Sequence, residues 1–396
     1  MKSNLSKNFK LLLLSDFVSS FGSSMTNIVI TMYVYTSTKD LLIASFFPFV
    51  NILLKLIVSL LLPKIKIKHT YKSLFILGEL FAGGMILSFI WIKNLYFMLA
   101  VFSLFSGVFF LLELYRAEFL RIISTEQEIY ARQSLSGIVN AFVNVGAPVL
   151  GGILIQTVGE NVVFITDVVS YCLAAFLISF TDKIPVLQNQ PQDSPAEKRI
   201  FSLKLTNHSA IYVGAVVVTF LGGATSLLTI SYVLNFLQAD EITYTVLMAV
   251  MAVGSMVGSG LINIPFVKEH TKIISSLCFF ADGLLFFSVL LRPGVFFLAG
   301  IFFVSGILSS LVMTYYAISI YLSYSQEDVK NKIGLFNICI DGATSCSKPV
   351  GGFLQRKLGD IFSIALMGAV FIICSPINYL DKLVKEEEKL NSQSHE

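Results

Sequence analysis

The feature that most constrains this chain is a recurring apolar run, each near 20 residues long, set off by charged or turn-forming residues. A helix rises about 1.5 Å per residue, so about 20 apolar residues cross the hydrocarbon core of a bilayer. Such runs continue along almost all of the 396 residues. Hydrophobic residues make up 55% of the chain and charged ones only 13%, where a soluble domain carries about 25% charge. A soluble chain of this length would also split into two or three domains with polar surfaces between them. The pattern predicts an all-α membrane protein of about twelve transmembrane helices. The expected spans are 9–34, 41–62, 71–92, 95–117, 131–157, 161–180, 208–237, 241–263, 273–291, 295–324, 331–358 and 360–379.

The breaks carry recognisable punctuation, among it Lys39-Asp40, Pro63 to Lys68, Gly159-Glu160, Arg292-Pro293 and Gly359-Asp360. The first run follows a basic start, but it lacks a small-residue cleavage site and a second run follows at once. It reads as a retained helix rather than a signal peptide. With the N-terminus placed in the cytoplasm, 21 of the 28 Lys and Arg fall on cytoplasmic segments or helix ends. Five fall on the other side, and Lys55 and Lys348 lie inside spans. That asymmetry predicts both termini inside and an even number of spans. A net charge of +3 implies no nucleic-acid partner.

The chain divides near its middle. Residues 181–206 are polar and hold Pro185, Pro191 and Pro195, so they read as a cytoplasmic linker. Six spans precede it in a bundle over 1–180, six follow over 207–380, and 381–396 form a cytoplasmic tail. The halves echo each other. Shifted by 200 positions, the stretch from Arg132 lies over that from Lys332, with Leu135/Leu335, Ile138/Ile338, Gly151/Gly351, Gly152/Gly352 and Leu154/Leu354 coinciding. A shift of 203 brings Glu79 onto Asp282. Internal duplication of this kind is common in secondary transporters.

An ionisable group inside the membrane is costly, so it faces a cavity, finds a partner or does work. The candidates are Asp16, Lys55, Glu79, Glu113, Asp167, Asp282, Asp341 and Lys348. Glu79 and Asp282 are expected to brace their bundles, with Arg132 and Lys332 at the matching helix starts. Glu113 and Arg116 are three apart and read as a local pair. Asp167 reads as hydrated near the outer end of the sixth span. Lys55 and Asp341 stand at similar depth, roughly 12 and 14 Å from the cytoplasmic side by helix rise. Gly254 and Gly258 form a GxxxG pair expected to mark a close helix contact.

Several stretches resemble the major facilitator superfamily, within its branch of bacterial drug and small-metabolite exporters of the macrolide-efflux type. They are LLLLSDFVSSFGSSMTNIVITMYVY in the first span, YRAEFLRIISTEQEIYARQSLSGIVN between the fourth and fifth, and GAPVLGG in the fifth. The last, with Gly146, Pro148, Gly151 and Gly152, resembles the Gly-Pro motif of the superfamily's antiporters. The resemblance covers Phe9 to Tyr379 and implies two pseudo-symmetric six-helix bundles. The superfamily's signature loop is degenerate here: Pro63 stands where relatives have an Asp, while Lys64 and Lys68 keep the positive charge.

In that family the first, fourth, seventh and tenth helices line a central cavity. The resemblance therefore implies a proton-coupling role for Asp16, with Asp341 the second candidate, and a gating ion pair between Lys55 and Asp341. Candidate cavity residues are Asn27, Thr225, Thr229, Tyr232, Asn235, Ser309, Tyr315 and Lys348, a lining of hydroxyls and aromatics that suits an amphipathic solute.

No phosphate loop of the form GxxxxGK[ST] and no HExxH motif occurs. The five cysteines lie in predicted spans without metal-ligand spacing, so neither disulfides, a metal nor a cofactor is expected. The sequence thus points away from an enzyme and toward a monomeric, multi-pass transporter of the bacterial cell membrane. It is expected to export a small amphipathic organic solute (a drug, peptide or chelating metabolite) by proton antiport. A nutrient importer or uniporter is the alternative; a membrane sensor, immunity protein or lipid-handling enzyme is a third reading.

Overall fold

The computed structural model describes residues 7–38, 52–59, 61, 70–92, 94–184, 209–239, 241–324 and 328–379. The loop 63–68, most of the expected linker and the tail lie outside them. Thirteen helices follow in chain order: α1 (Lys7–Thr38), α2 (52–59), α3 (Tyr71–Trp91), α4 (Leu95–Ile122), α5 (Glu126–Thr157), α6 (Glu160–Ile178), α7 (Ser209–Ser231), α8 (Glu241–Leu261), α9 (Pro265–Glu269), α10 (Thr271–Phe287), α11 (Val295–Ser323), α12 (Val329–Leu358) and α13 (Asp360–Cys374). All but the short α9 answer to one of the twelve expected spans.

Among the described residues, nine helices are long and apolar enough to cross a membrane. The helix α12 has 30 residues and is long enough, but Asp341, Lys348 and charges at both ends make it too polar for that count.

Helix boundaries follow local chemistry. Asn94 caps α4 by accepting a bond from the Phe97 amide at 3.1 Å. At the start of α5, Thr125 and Glu128 close a capping box, so this helix begins five residues before the expected 131. The helix α4 runs past the expected end at 117, because its charged residues Arg116 and Glu118 are buried against partners rather than released to water. Gly159 and Gly359, 200 apart, both adopt positive φ, +103° and +77°, immediately before α6 and α13. That backbone conformation suits glycine. The internal repeat therefore reaches the turns as well as the helices.

The chain forms two compact units. The first comprises Met1–Arg132, Val139–Ile200 and Tyr324–Ile338; the second comprises Gln133–Ile138, Phe201–Ser323 and Cys339–Glu396. In the first, α6 packs against α1 and α3. One apolar cluster there gathers Met25, Phe89, Phe105, Phe164 and Tyr171, and a second gathers Tyr71, Phe75, Phe110 and Phe119.

In the second unit α8 lies against α11, and α10 against α13. The α8–α11 seam is made by glycines. A Cβ on Gly254 would strike the Phe303 carbonyl, one on Gly258 the Ile307 carbonyl, and one on Gly306 the Met251 carbonyl. This is the close contact expected from the GxxxG pair, which works by letting two backbones meet. Large apolar side chains such as Phe296 and Phe176 point outward, as helices facing lipid require. Trp91 is also exposed at the end of α3, the place of an interfacial anchor.

Candidate functional site

Three helices of the first unit converge on one guanidinium. Arg116 on α4 reaches Asp16 on α1 with Nη1 to Oδ1 at 2.8 Å, and its Nη2 pairs with Glu79 Oε1 on α3. The guanidinium also lies over the rings of Phe75 and Phe109, 5.7 and 5.8 Å from their centroids, an arrangement that favours a cation. The Glu79 side chain is wholly buried, whereas that of Asp16 is 33% exposed. Asp16 is therefore the more accessible of the two carboxylates. Two carboxylates facing one cation leave an excess negative charge, and a single proton bound to the cluster makes it neutral.

This arrangement corrects one expectation. Arg116 does not pair with Glu113 three residues earlier. It turns to the two carboxylates, and Glu113 Oε1 accepts a bond from Asn337 Nδ2 at 2.9 Å. The spacing rule identifies neighbours on one helix, but long-range partners inside a bundle outbid it.

Asp167 is not hydrated. It is fully buried on α6, accepting from Thr26 Oγ1 at 2.5 Å and from Ser170 Oγ at 3.3 Å. One turn away the Ser23 and Tyr171 hydroxyls bond at 2.6 Å. A Cβ at Gly22 would fall within 2.5 Å of Asp167 Oδ1, so the absence of a side chain there lets α1 approach the acid.

A further buried ion pair was missed by the sequence reading. Lys330 Nζ lies 3.1 Å from Glu118 Oε1 and 4.6 Å from the centre of the Tyr115 ring. The basic-residue asymmetry counts Lys330 as a cytoplasmic charge, yet it is only 3% exposed. Arg132 is likewise buried, over the Phe9 ring at 4.7 Å and donating to the Ile123 carbonyl. Lys332 lies 5.3 Å over Tyr324. Lys55 on α2 lies 5.7 Å from the Phe110 ring centre.

The glycines of the α5 motif have a definable job. A Cβ on Gly151 would meet Met25 of α1 at 3.2 Å, and one on Gly146 the Phe21 ring at 3.3 Å, while Gly152 faces open space. Pro148 sits within α5. The echo in the second unit does the same: Gly351 on α12 would bring a Cβ to 3.2 Å from the Ala224 carbonyl of α7.

The second unit holds a small cavity of about 60 Å³ between α7, α8, α10 and α11. That is room for a few waters. Thr225, Ser226, Thr229 and Ser305 supply its polar lining and Met248, Met251, Phe286 and Phe302 most of the rest. Thr225 and Thr229 thus line this small cavity within the second unit. Ser309 instead donates to Asp282 Oδ2 at 3.1 Å.

Tyr232 is fully buried, its hydroxyl donating to the Pro293 carbonyl at 3.0 Å. Asn235 is exposed and bonds Ser231 at 2.9 Å. Tyr315 is buried beside Tyr316. Asn27 and Lys348 are exposed, and Asp341 is half-buried on α12. Among the described residues no three His, Cys, Asp or Glu side chains converge as a metal site would need.

The sequence profile of the Major Facilitator Superfamily matches residues 12–345. A bacterial homologue of the iron transporter ferroportin, in an outward-facing state, superposes with a TM-score of 0.74 at 13% identity, over 95% of this chain and 99% of that one. The human organic anion transporter MFSD10 gives 0.77 at 9% identity, over 94% and 99%. A single-residue variant of the E. coli fucose:proton symporter FucP gives 0.70 at 15%, over 93% and 98%. At these identities the likeness shows the fold. No curated protein matches in sequence.

Proposed function

The chain belongs to the Major Facilitator Superfamily, and from that premise we propose that it is an ion-coupled exporter of a small amphipathic organic solute, driven by proton antiport. Membership and fold make it a multi-pass membrane transporter. The observation that carries the coupling is the Asp16–Arg116–Glu79 cluster, which holds one negative charge more than its cation balances. A group that must be neutralised inside a membrane is suited to exchanging protons. Asp16, the accessible member, is the residue assigned to that exchange.

Export is supported by the GAPVLGG stretch of α5 and the resemblance to drug and metabolite exporters. The similar structures include a fucose:proton symporter and a homologue of an iron transporter, so fold alone does not choose the direction. The amphipathic class of the solute is what the resemblance to drug and small-metabolite exporters implies.

The test is transport in inverted membrane vesicles energised by a proton gradient, using a panel of lipophilic dyes and drugs. Asp16→Asn should abolish gradient-driven accumulation while leaving expression normal. Undiminished accumulation in that variant refutes the assignment of Asp16, and accumulation only in right-side-out vesicles refutes export.

A further inference from the structure

Asp282 on α10 occupies the place that Glu79 has in the first unit, by the internal shift of 203 residues. Glu79 has Arg116 for a partner. The same shift carries Arg116 onto Ser319, a hydroxyl. Asp282, only 3% exposed, makes no ion pair among the described residues. Ser309 donates to one of its oxygens at 3.1 Å. Ser305, one turn earlier on α11, stands beside the same carboxylate, but neither Ser305 Oγ nor Asp282 Oδ1 completes a hydrogen bond of normal geometry. Ser305 is 2% exposed and lines the 60 Å³ cavity.

Among the described residues the surrounding helices supply no counter-charge. Neither α7 nor α11 has a charged residue. On α10 the other titratable groups are Cys278, one turn away, and Lys272, ten residues or about 15 Å along the helix. On α13 they are Asp360 and Cys374, at its two ends. Lys268 and Glu269 of α9 precede Lys272, and on α8 Glu241 and Tyr244 stand at the helix start.

The cavity wall is also biased in sign. Thr225 donates its hydroxyl proton to the Leu221 carbonyl, Ser226 to Gly223 and Thr229 to Thr225. With those protons committed to the helix backbone, their lone pairs are what the cavity receives.

We propose that Asp282 and the hydroxyl-lined cavity beside it form a binding site for one small univalent cation, a proton or a sodium ion, in the second unit. The cation does there what Arg116 does in the first. A single carboxylate with hydroxyls and water fits one positive charge and not the richer carboxylate set of a divalent ion. This rests on the reading of the chain as an ion-coupled transporter and adds a second coupling position to it.

The experiment uses purified full-length protein in detergent, without solute. Its thermal midpoint is followed as NaCl replaces choline chloride at constant ionic strength, and its carboxylic C=O infrared band is followed from pH 5 to 9. For sodium, the midpoint rises by several degrees with Na⁺. The rise disappears in Asp282→Asn and needs at least threefold more Na⁺ in Ser305→Ala. For a proton, Na⁺ has no effect, and a titrating carboxylic band is lost in Asp282→Asn. Should Asp282→Asn not fold, Ser305→Ala and Ser309→Ala must still shift the Na⁺ or pH midpoint.

The absence of both a Na⁺ response and a titrating band overturns the proposal, as does a band that is lost in Asp282→Asn but present unchanged at every pH in the parent. A protein that binds the cation but moves no solute keeps this site and loses the transporter reading.

Discussion

Replacing Arg116 by Met removes the one cation shared by Asp16 and Glu79 while keeping most of the side chain's volume. The two acids are not equally affected. Glu79 is sealed from solvent, and breaking a buried pair by removing one partner costs about 3–5 kcal/mol. Asp16 is 33% exposed, so its share is closer to that of a surface pair, about 0–1 kcal/mol. The total expected loss is therefore about 3–5 kcal/mol, dominated by Glu79. Adding Glu79→Gln to Arg116→Met removes the stranded charge and should restore more than half of the loss, whereas adding Asp16→Asn should restore less than about 1 kcal/mol. Unfolding by SDS titration from mixed micelles, monitored by circular dichroism, measures all four proteins on one scale. If Arg116→Met lies within about 1 kcal/mol of the parent, or if Asp16→Asn rescues as well as Glu79→Gln, the cluster is not arranged around a sealed Glu79 and the reasoning fails.

Three further outcomes are expected, two from other contacts and one from the distribution of basic residues. Gly258→Val, which drives a side chain into the Ile307 carbonyl, should lower folded yield severely, while Gly260→Ala, facing open space, should match the parent in size-exclusion profile. Glu118→Gln and Lys330→Met should each destabilise by about 3–5 kcal/mol and the double variant by less than either, because only the singles strand a buried charge; additive losses in a double-mutant cycle would refute the pairing. Cysteines introduced at Lys2 and Glu396 should react with a membrane-impermeant maleimide only after cells are permeabilised, and labelling of intact cells would place the termini outside.

Spans were legible because membrane thickness sets their length and lipid sets their composition, two demands written directly into the order of residues. The repeat was legible too, and the equivalent contacts of Gly151 and Gly351 give it a physical basis: each lets its helix approach another within its own unit. Partner choice was not legible. Glu113 and Arg116 are neighbours on one helix face, but the sequence does not state that Arg116 points between α1 and α3. Lys330 looked solvated because a basic residue beside a polar loop usually is; its burial depends on Glu118, more than 200 residues away. Asp167 was misjudged for the same reason, since its hydroxyl partner Thr26 lies on another helix. The one clue available was Gly22 on the serine-rich face of α1, which marks a place where something must come close.

The seam between α8 and α11 has a mechanical consequence. Gly254 and Gly258 lie against the carbonyls of Phe303 and Ile307, and Gly306 against that of Met251. Backbones meshed at several levels have no layer of pliable side chains in which to slip. To slide past each other they would have to unmesh and re-engage about one helical turn on, roughly 5.4 Å away. The pair therefore behaves as a single stiff beam. Whatever bending accompanies a transport cycle must be taken up elsewhere in the second unit, and a bulky residue wedged into this seam would break the beam rather than tune it.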